Sequence, residues 1–115
     1  MRCAAIAFAV LLTLVATTAH AEVPNSVAAL LGPAVGYLLS QSDLCQWDLT
    51  AKIEKTYQDG FKAIGMTAAQ QASAWSQAAA SRKDLANLPA EAKTRMKAET
   101  CTAASRARVE KDIID

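Results

Sequence analysis

Residues 45–64, CQWDLTAKIEKTYQDGFKAI, carry the clearest periodic pattern in the chain. Apolar side chains recur there at every fourth position, namely Cys45, Leu49, Ile53, Tyr57 and Phe61. This spacing is typical of an amphipathic helix that packs one face against a core. We expect Ser42 or Asp43 to cap its start, because a short oxygen-bearing side chain accepts from the free first-turn amides. Gly65 suits the left-handed conformation that ends many helices.

The preceding segment, residues 26–40, has a second helical stripe. Its apolar residues stand three and four apart, namely Val27, Leu30, Leu31, Val35, Leu38 and Leu39. Gly32 and Pro33 interrupt this segment, so we expect a kink or a break into two short helices. One interpretation is a helix that packs in the core. The alternative is an apolar segment that moves to expose a binding surface.

Two further helices are predicted downstream. Thr67 and Gln70 have the spacing of a capping box, which predicts a helix from there to about Leu85. The apolar face of that helix is predicted to consist of Ala72, Trp75, Ala79 and Ala86, with Ala68 and Ala78 beside it. Pro89 suits the first turn of a last helix. The stripe of this last helix is Ala92, Met96, Ala103 and Ala107, with Cys101 near its edge. We expect the charged tail to fray beyond Val109.

These patterns predict an all-α fold. No run alternates apolar and polar residues over the length of a strand, and the turn signals are all helix caps. We therefore expect a single domain, residues 22–115, built as a small bundle of about four helices.

The first 21 residues have the layout of a cleavable secretory signal. Arg2 provides a positive start, residues 4–15 are apolar, and Ala19-His20-Ala21 is a small-x-small site before Glu22. The apolar run is shorter than the roughly 20 residues that a membrane-spanning helix needs. We expect a periplasmic or secreted protein without stable membrane insertion after cleavage; an uncleaved anchor is the alternative.

Cleavage would leave two cysteines, Cys45 and Cys101, because Cys3 lies in the signal. Two cysteines in an exported chain predict one disulfide, and free thiols or a bond between two chains are the alternatives. The bond would tie the start of the second helix to the middle of the last. On the chain-entropy model such a bond contributes roughly 4 kcal/mol to stability.

The remaining residues limit the chemistry of the protein. His20 is the only histidine and leaves with the signal, which excludes ordinary Ser-His-Asp and Cys-His nucleophiles. Two carboxylate pairs, Asp43 with Asp48 and Glu91 with Glu99, have spacings common on solvated helix faces. The chain also lacks a glycine-rich phosphate loop and a set of metal ligands. We predict a protein that is not an enzyme and has no cofactor and no metal.

The charge balance narrows the range of partners. Loss of Arg2 leaves 11 basic side chains against 11 acidic ones, so the mature chain is neutral near pH 7. A neutral chain has no general attraction to nucleic acid, and we predict no nucleic-acid partner.

Residues 43–49 (DLCQWDL) and 99–102 (ETCT) resemble small periplasmic acid-stress chaperones of the HdeA kind. Those chaperones are likewise signal-bearing and helical, and two cysteines are bonded across their chain, the second followed by Thr and a charged C-terminal helix. The cysteines stand further apart in this chain. Residues 66–70 (MTAAQ) are similar to the Leu-Thr-x-x-Gln motif of Spy-like periplasmic chaperones, which is also an ordinary capping box.

The resemblance implies a stress-protective protein that binds unfolded or envelope polypeptides. Carboxylates titrate near pH 4, so at around pH 2 the mature chain would approach a charge of about +11 and could open by repulsion. The residues expected to contact a partner or ligand are Leu30, Leu31, Trp47 and Trp75. The alternative function is a module that binds a small ligand or an envelope component in a pocket near the two tryptophans.

Overall fold

A computed structural model of the chain describes residues 23–114, which are helical apart from short connections. Five helices follow one another along these residues: α1 (Asn25–Cys45), α2 (Thr50–Ala63), α3 (Ala68–Ala86), α4 (Ala90–Thr100) and α5 (Ala103–Ile114). The predicted all-α bundle with one disulfide is confirmed, with five helices in place of about four. The predicted signal peptide, residues 1–21, lies outside the described residues.

The helices α1 and α3 lie side by side and run in the same direction. At their N-terminal ends, the side-chain amide of Gln70 donates a hydrogen bond to the Asn25 side-chain oxygen at 2.8 Å. At their C-terminal ends, Arg82 of α3 donates to the Asp43 carboxylate of α1 at 2.7 Å. Since α2 lies between them in the chain, it returns the backbone so that α3 can pack alongside α1.

The contact between α1 and α3 is closest at two glycines. A Cβ atom on Gly32 would lie 2.8 Å from the carbonyl oxygen of Ala74, and one on Gly36 would lie 2.9 Å from that of Ala78. These distances are shorter than any side chain tolerates, so the lack of a Cβ lets the two backbones approach. The glycines and alanines, each pair four residues apart, therefore form the α1–α3 seam.

The buried face of α3 differs from the predicted one. Ala74 and Ala78 are buried, whereas Ala72, Ala79 and Ala86 are exposed. Alanines occur on every side of this helix, so their spacing does not distinguish those that meet the glycines of α1. The predicted capping box at the start of α3 is confirmed by reciprocal hydrogen bonds between Thr67 and Gln70.

Helix α1 continues without a break across Pro33, so the prediction of two short helices is wrong. Proline removes one backbone hydrogen bond at a cost of about 3 kcal/mol in a helix interior. Buried residues lie on both sides of it, with Ala28 before and Val35 and Leu39 after. Packing of both halves in the core offsets the lost hydrogen bond and keeps the helix whole.

The prediction that a helix starts at Cys45 is wrong, because Cys45 is the last residue of α1. Gln46 takes a left-handed backbone conformation with φ of 54°, which ends the helix. The predicted caps, Ser42 and Asp43, therefore lie inside α1. The buried Ser42 hydroxyl accepts a hydrogen bond from the Leu49 N–H at 2.9 Å, which holds the connection to α2 against α1.

The later part of the predicted second helix is confirmed as α2. Ile53 and Phe61 are buried, and Tyr57 between them is partly buried and packs against the core. Gly65, with φ of +83°, has the expected left-handed conformation just after the helix.

The predicted last helix is divided in two at Cys101 and Thr102. The Thr102 hydroxyl accepts a hydrogen bond from the Ser105 N–H at 3.1 Å and caps the start of α5. The expectation that the tail frays beyond Val109 is wrong, because α5 extends to Ile114, and Val109 and Ile113 are buried in the core. By contrast, α4 contributes no buried residue.

The α1–α3 seam generates a stability prediction. Substitution Gly36→Ala should lower the free energy of unfolding by about 1–3 kcal/mol, because the new methyl group would overlap backbone atoms that cannot move independently. Urea denaturation followed by circular dichroism measures the change. Gly60→Ala in α2 is the matched control: its Cβ would meet nothing within 4 Å, and alanine should stabilise the helix by up to about 1 kcal/mol. Equal effects of the two substitutions would contradict the close approach of α1 and α3.

Candidate functional site

The outer side of α1 carries an exposed row of apolar residues, Val27, Leu30, Ala34 and Tyr37, which we call the α1 stripe. At 100° per residue they fall within an arc of about 80° and extend over about 15 Å. Leu30 is 71% exposed, Val27 46% and Tyr37 47%, the highest values among large apolar residues of α1. Val27, Leu30 and Ala34 lie on the side of α1 opposite the seam with α3, and Tyr37 lies at the edge of that side, where it borders α3 and α4.

The α1 stripe lies on a helix with almost no charge. Asp43, near the C-terminal end, is the one charged residue of α1, whereas each of the other four helices carries three or more. An uncharged apolar surface of this kind can contact other apolar groups without desolvating an ion.

The structure separates the two leucines predicted as contact residues. Leu30 is at the centre of the α1 stripe and exposed, but Leu31 is partly buried and packs against the core. Only Leu30 is therefore freely available to a partner in this conformation.

Trp47 lies in the connection between α1 and α2 and is only 6% exposed. Its side chain belongs to the core, against which Cys45 also packs. Its backbone N–H donates to the Ser42 carbonyl at 3.0 Å, and its carbonyl accepts from Arg106 of α5 at 3.4 Å. Trp47 thus joins the end of α1 to α5.

Trp75 is partly exposed and lies on α3, against α2. Its ring centre is 5.5 Å from that of Phe61, in a tilted arrangement that favours aromatic pairs. It also lines a shallow depression with Leu39 and Arg82, but Trp47 does not belong to that lining. The structure therefore places the two tryptophans in different surroundings.

Arg82 joins three helices through its charge. Its guanidinium donates two hydrogen bonds to the Asp43 carboxylate of α1 and lies 3.9 Å from a carboxylate oxygen of Glu54 in α2. The hydrogen bond to Asp43 raises the pKa of Arg82 further above its ordinary value, and partial burial opposes that shift. Arg82 therefore stays charged at every acidic pH.

The disulfide joins Cys45 to Cys101, 56 residues later in the chain. It ties the end of α1 to the connection between α4 and α5, in place of the predicted link to the middle of one last helix. Since α4 buries no side chain, the disulfide is the covalent restraint that keeps this helix beside α1.

Comparison of the chain with protein-family models, with curated proteins and with solved structures found no match. The resemblance to chaperones of the HdeA kind stays a prediction from the residues around the two cysteines. Within residues 23–114, no helix has both the length and the apolar character needed to cross a membrane. In the same part of the chain, no three His, Cys, Asp or Glu residues are grouped as a metal site requires.

Sequence reasoning missed three members of the α1 stripe as surface residues. The spacing predicts Val27 on a stripe that either packs in the core or moves to expose a binding surface, and it gives Ala34 and Tyr37 no role. The sequence does contain a signal for the exposed side of α1. Gly32 and Gly36 stand four residues apart and mark the side that approaches another backbone closely. The residues on the opposite side of α1 are then the exposed ones.

The Arg82 junction predicts a salt-dependent contribution to stability. Arg82→Gln should lower the free energy of unfolding at pH 7 by about 1 kcal/mol, a value kept small because the ion pair is partly solvated. The difference from wild type should shrink at about 1 M salt, because salt screens partly solvated ion pairs. Urea denaturation at low and at high salt measures both differences. Lys55→Gln, which removes a largely exposed ion pair with Asp59, is the control and should change little. A difference that is constant with salt would assign Arg82 a packing role.

The disulfide should account for a large share of stability. Cys45→Ser combined with Cys101→Ser is expected to lower the free energy of unfolding by roughly 4 kcal/mol, because closure of a loop of this length restricts the unfolded chain. Chemical denaturation of both proteins under identical conditions gives the difference. A loss below about 1 kcal/mol would show that packing of Trp47 and α5 holds the helix ends together without the bond.

Proposed function

We propose that this protein is a non-enzymatic, exported protein that binds other polypeptides through the α1 stripe and protects them under acid stress. The observation that carries the proposal is the exposure of Val27, Leu30 and Tyr37 on one side of an almost uncharged helix. A stable monomer rarely presents a long helix that is apolar on both sides unless something binds there.

The chemistry of the α1 stripe suits transient binding of unfolded chains. Burial of one leucine side chain contributes roughly 2 kcal/mol, so a stripe with three large side chains supports weak and reversible contacts. Because the surface has no charges and few directional groups, it selects apolar segments in general and not one sequence. Unfolded polypeptides expose such segments.

Acidification would increase the apolar surface. At low pH, protonation of the carboxylates of the chain in general would leave a net positive charge, because the basic side chains stay positive. Repulsion among the basic side chains of α2 and α3 would then favour separation of these two helices and exposure of the side chains packed between them, including Trp75. The Cys45–Cys101 bond would still hold α1 to the α4–α5 connection and limit the opening.

The proposed location is the periplasm or the cell exterior. It rests on the predicted signal peptide and on the disulfide, since such bonds persist in oxidising compartments.

The proposal is tested with an aggregating polypeptide whose light scattering is followed with and without the purified disulfide-bonded protein. We expect partial suppression of scattering at pH 7 and stronger suppression at about pH 3, where carboxylates are largely protonated. Leu30→Gln should weaken the suppression at both pH values. Ile64→Gln is the matched control, because Ile64 is 50% exposed but lies at the end of α2, away from the α1 stripe.

Three results would overturn the proposal. Absence of suppression at both pH values would remove polypeptide binding altogether. Full activity of Leu30→Gln would remove the α1 stripe as the binding surface. Equal losses in Leu30→Gln and Ile64→Gln would show that any exposed apolar side chain serves, without a defined site.

A further inference from the structure

A cleft of about 260 Å³ lies between the C-terminal half of α1, the end of α3 and the inner side of α4. Its volume lies just below the range for drug-sized ligand sites, which starts at about 300 Å³, so only a smaller molecule fits. Its main walls come from Tyr37 and Leu44 of α1, Leu85 of α3, and Lys93, Met96 and Lys97 of α4. Neither tryptophan lines it, so the cleft is separate from the predicted tryptophan pocket.

The cleft exists because α4 does not pack tightly. None of its 11 residues is buried, and its inner side, with Lys93 and Met96, is only partly covered. Leu44 and Leu85 opposite are also partly exposed. Three apolar side chains from three helices therefore face a common space that the protein does not fill.

The charges in the cleft do not balance. Lys93 and Lys97 stand one helical turn apart, and no carboxylate of residues 23–114 lies within 4.0 Å of either ammonium group. Arg82 also lines the cleft, but Asp43 already accepts two of its hydrogen bonds. The cleft thus holds two uncompensated positive charges next to apolar side chains.

Uncharged side chains that can donate hydrogen bonds complete the lining of the cleft. Tyr37, Gln41 and Gln46 border the cleft, and their side chains make no hydrogen bond to another group within the described part of the chain. A phenol hydroxyl and two amide groups can each donate to an anionic oxygen.

From this combination we propose that the cleft binds a small anionic amphiphile, a medium-chain carboxylate, with its headgroup at Lys93 and Lys97 and its chain against Leu44, Leu85 and Met96. Two ammonium groups favour a carboxylate over a neutral headgroup, because charge-assisted hydrogen bonds are the stronger ones. The limited volume favours a short single chain over a large lipid or a polypeptide. The cleft shares Tyr37 with the end of the α1 stripe, but the groups proposed to hold the ligand, Lys93, Lys97 and Met96, belong to α4 and not to the stripe.

The test is a titration of the disulfide-bonded protein with octanoate, followed by NMR of the methionine methyl groups and backbone amides. We expect saturable shifts at the Met96 methyl group and around Leu44 and Leu85. Octanol, which lacks the charge, and acetate, which lacks the chain, should each bind at least about tenfold more weakly.

Two sets of variants locate the site. Lys93→Gln with Lys97→Gln should weaken octanoate binding about tenfold or more, and Ala86→Leu should weaken it by filling part of the cleft. Lys52→Gln with Lys62→Gln, two exposed lysines of α2, is the charge-matched control and should leave the affinity unchanged. Leu30→Gln should also leave it unchanged, which keeps this test separate from that of the α1 stripe.

The proposal is overturned if octanoate causes no saturable shift near the cleft at concentrations up to about 10 mM. It is also overturned if the Lys93 and Lys97 double variant binds as wild type does. A lower melting temperature of that variant with unchanged octanoate affinity would assign the two lysines to the carbonyl ends of α1 and α3 and would likewise reject the ligand site.

Discussion

The backbones of α1 and α3 approach each other so closely at Gly32 and Gly36 that no side chain fits between them. This contact fixes the direction of α1 relative to α3. The residues of α1 before and after the glycines must then contact residues of α3 in the same order along the seam. Gln70 meets Asn25 at one end, and Arg82 meets Asp43 at the other. It also decides which side of α1 is buried, and therefore which side remains exposed as the α1 stripe.

The far end of the bundle depends on a different set of constraints. A left-handed residue, Gln46, ends α1, and the buried Ser42 hydroxyl fixes the following connection through the Leu49 amide. The disulfide then brings the α4–α5 connection to the same place. Because α4 is held there by a covalent bond with little packing of its own, a cleft can exist beneath it. Each of the two proposed binding surfaces thus follows from a place where helix packing is incomplete.

The polar and charged groups of this fold act through hydrogen bonds and ion pairs at particular places in the bundle. Within the described residues, every buried side-chain polar atom has a hydrogen-bond partner. The charged network that matters structurally is the junction of Arg82 with Asp43 and Glu54, which is partly solvated. The proposed carboxylate site uses lysines outside this network.

Short sequence patterns were sufficient to predict the structural features that depend on contacts with few other residues. The Thr67–Gln70 capping box, the left-handed Gly65, the helical class and the pairing of Cys45 with Cys101 are all as predicted. The capping bonds and the turn lie within a few residues, and the pairing followed because only two cysteines remained. Placement of Cys45 at a helix start failed, because Gln46 and Asp48 take positive φ angles without being glycine. Division of the last helix at Cys101 was missed, since no proline or glycine marks it.

Residue patterns alone are enough to predict a helical chain and the position of most helices, and they favour a bond between Cys45 and Cys101 over free thiols or a bond between two chains. Packing between helices settles which alanines of α3 are buried, keeps α1 whole across Pro33, and places Val109 and Ile113 of α5 in the core. It also decides that Leu30 is exposed while Leu31 packs inward, and that Lys93 and Lys97 face a cleft. The physical reason is that caps and periodicity arise from contacts within one or two turns. The choice among equally apolar faces depends on backbone approach between helices about 40 residues apart in the chain, and the spacing of apolar residues does not reveal that approach.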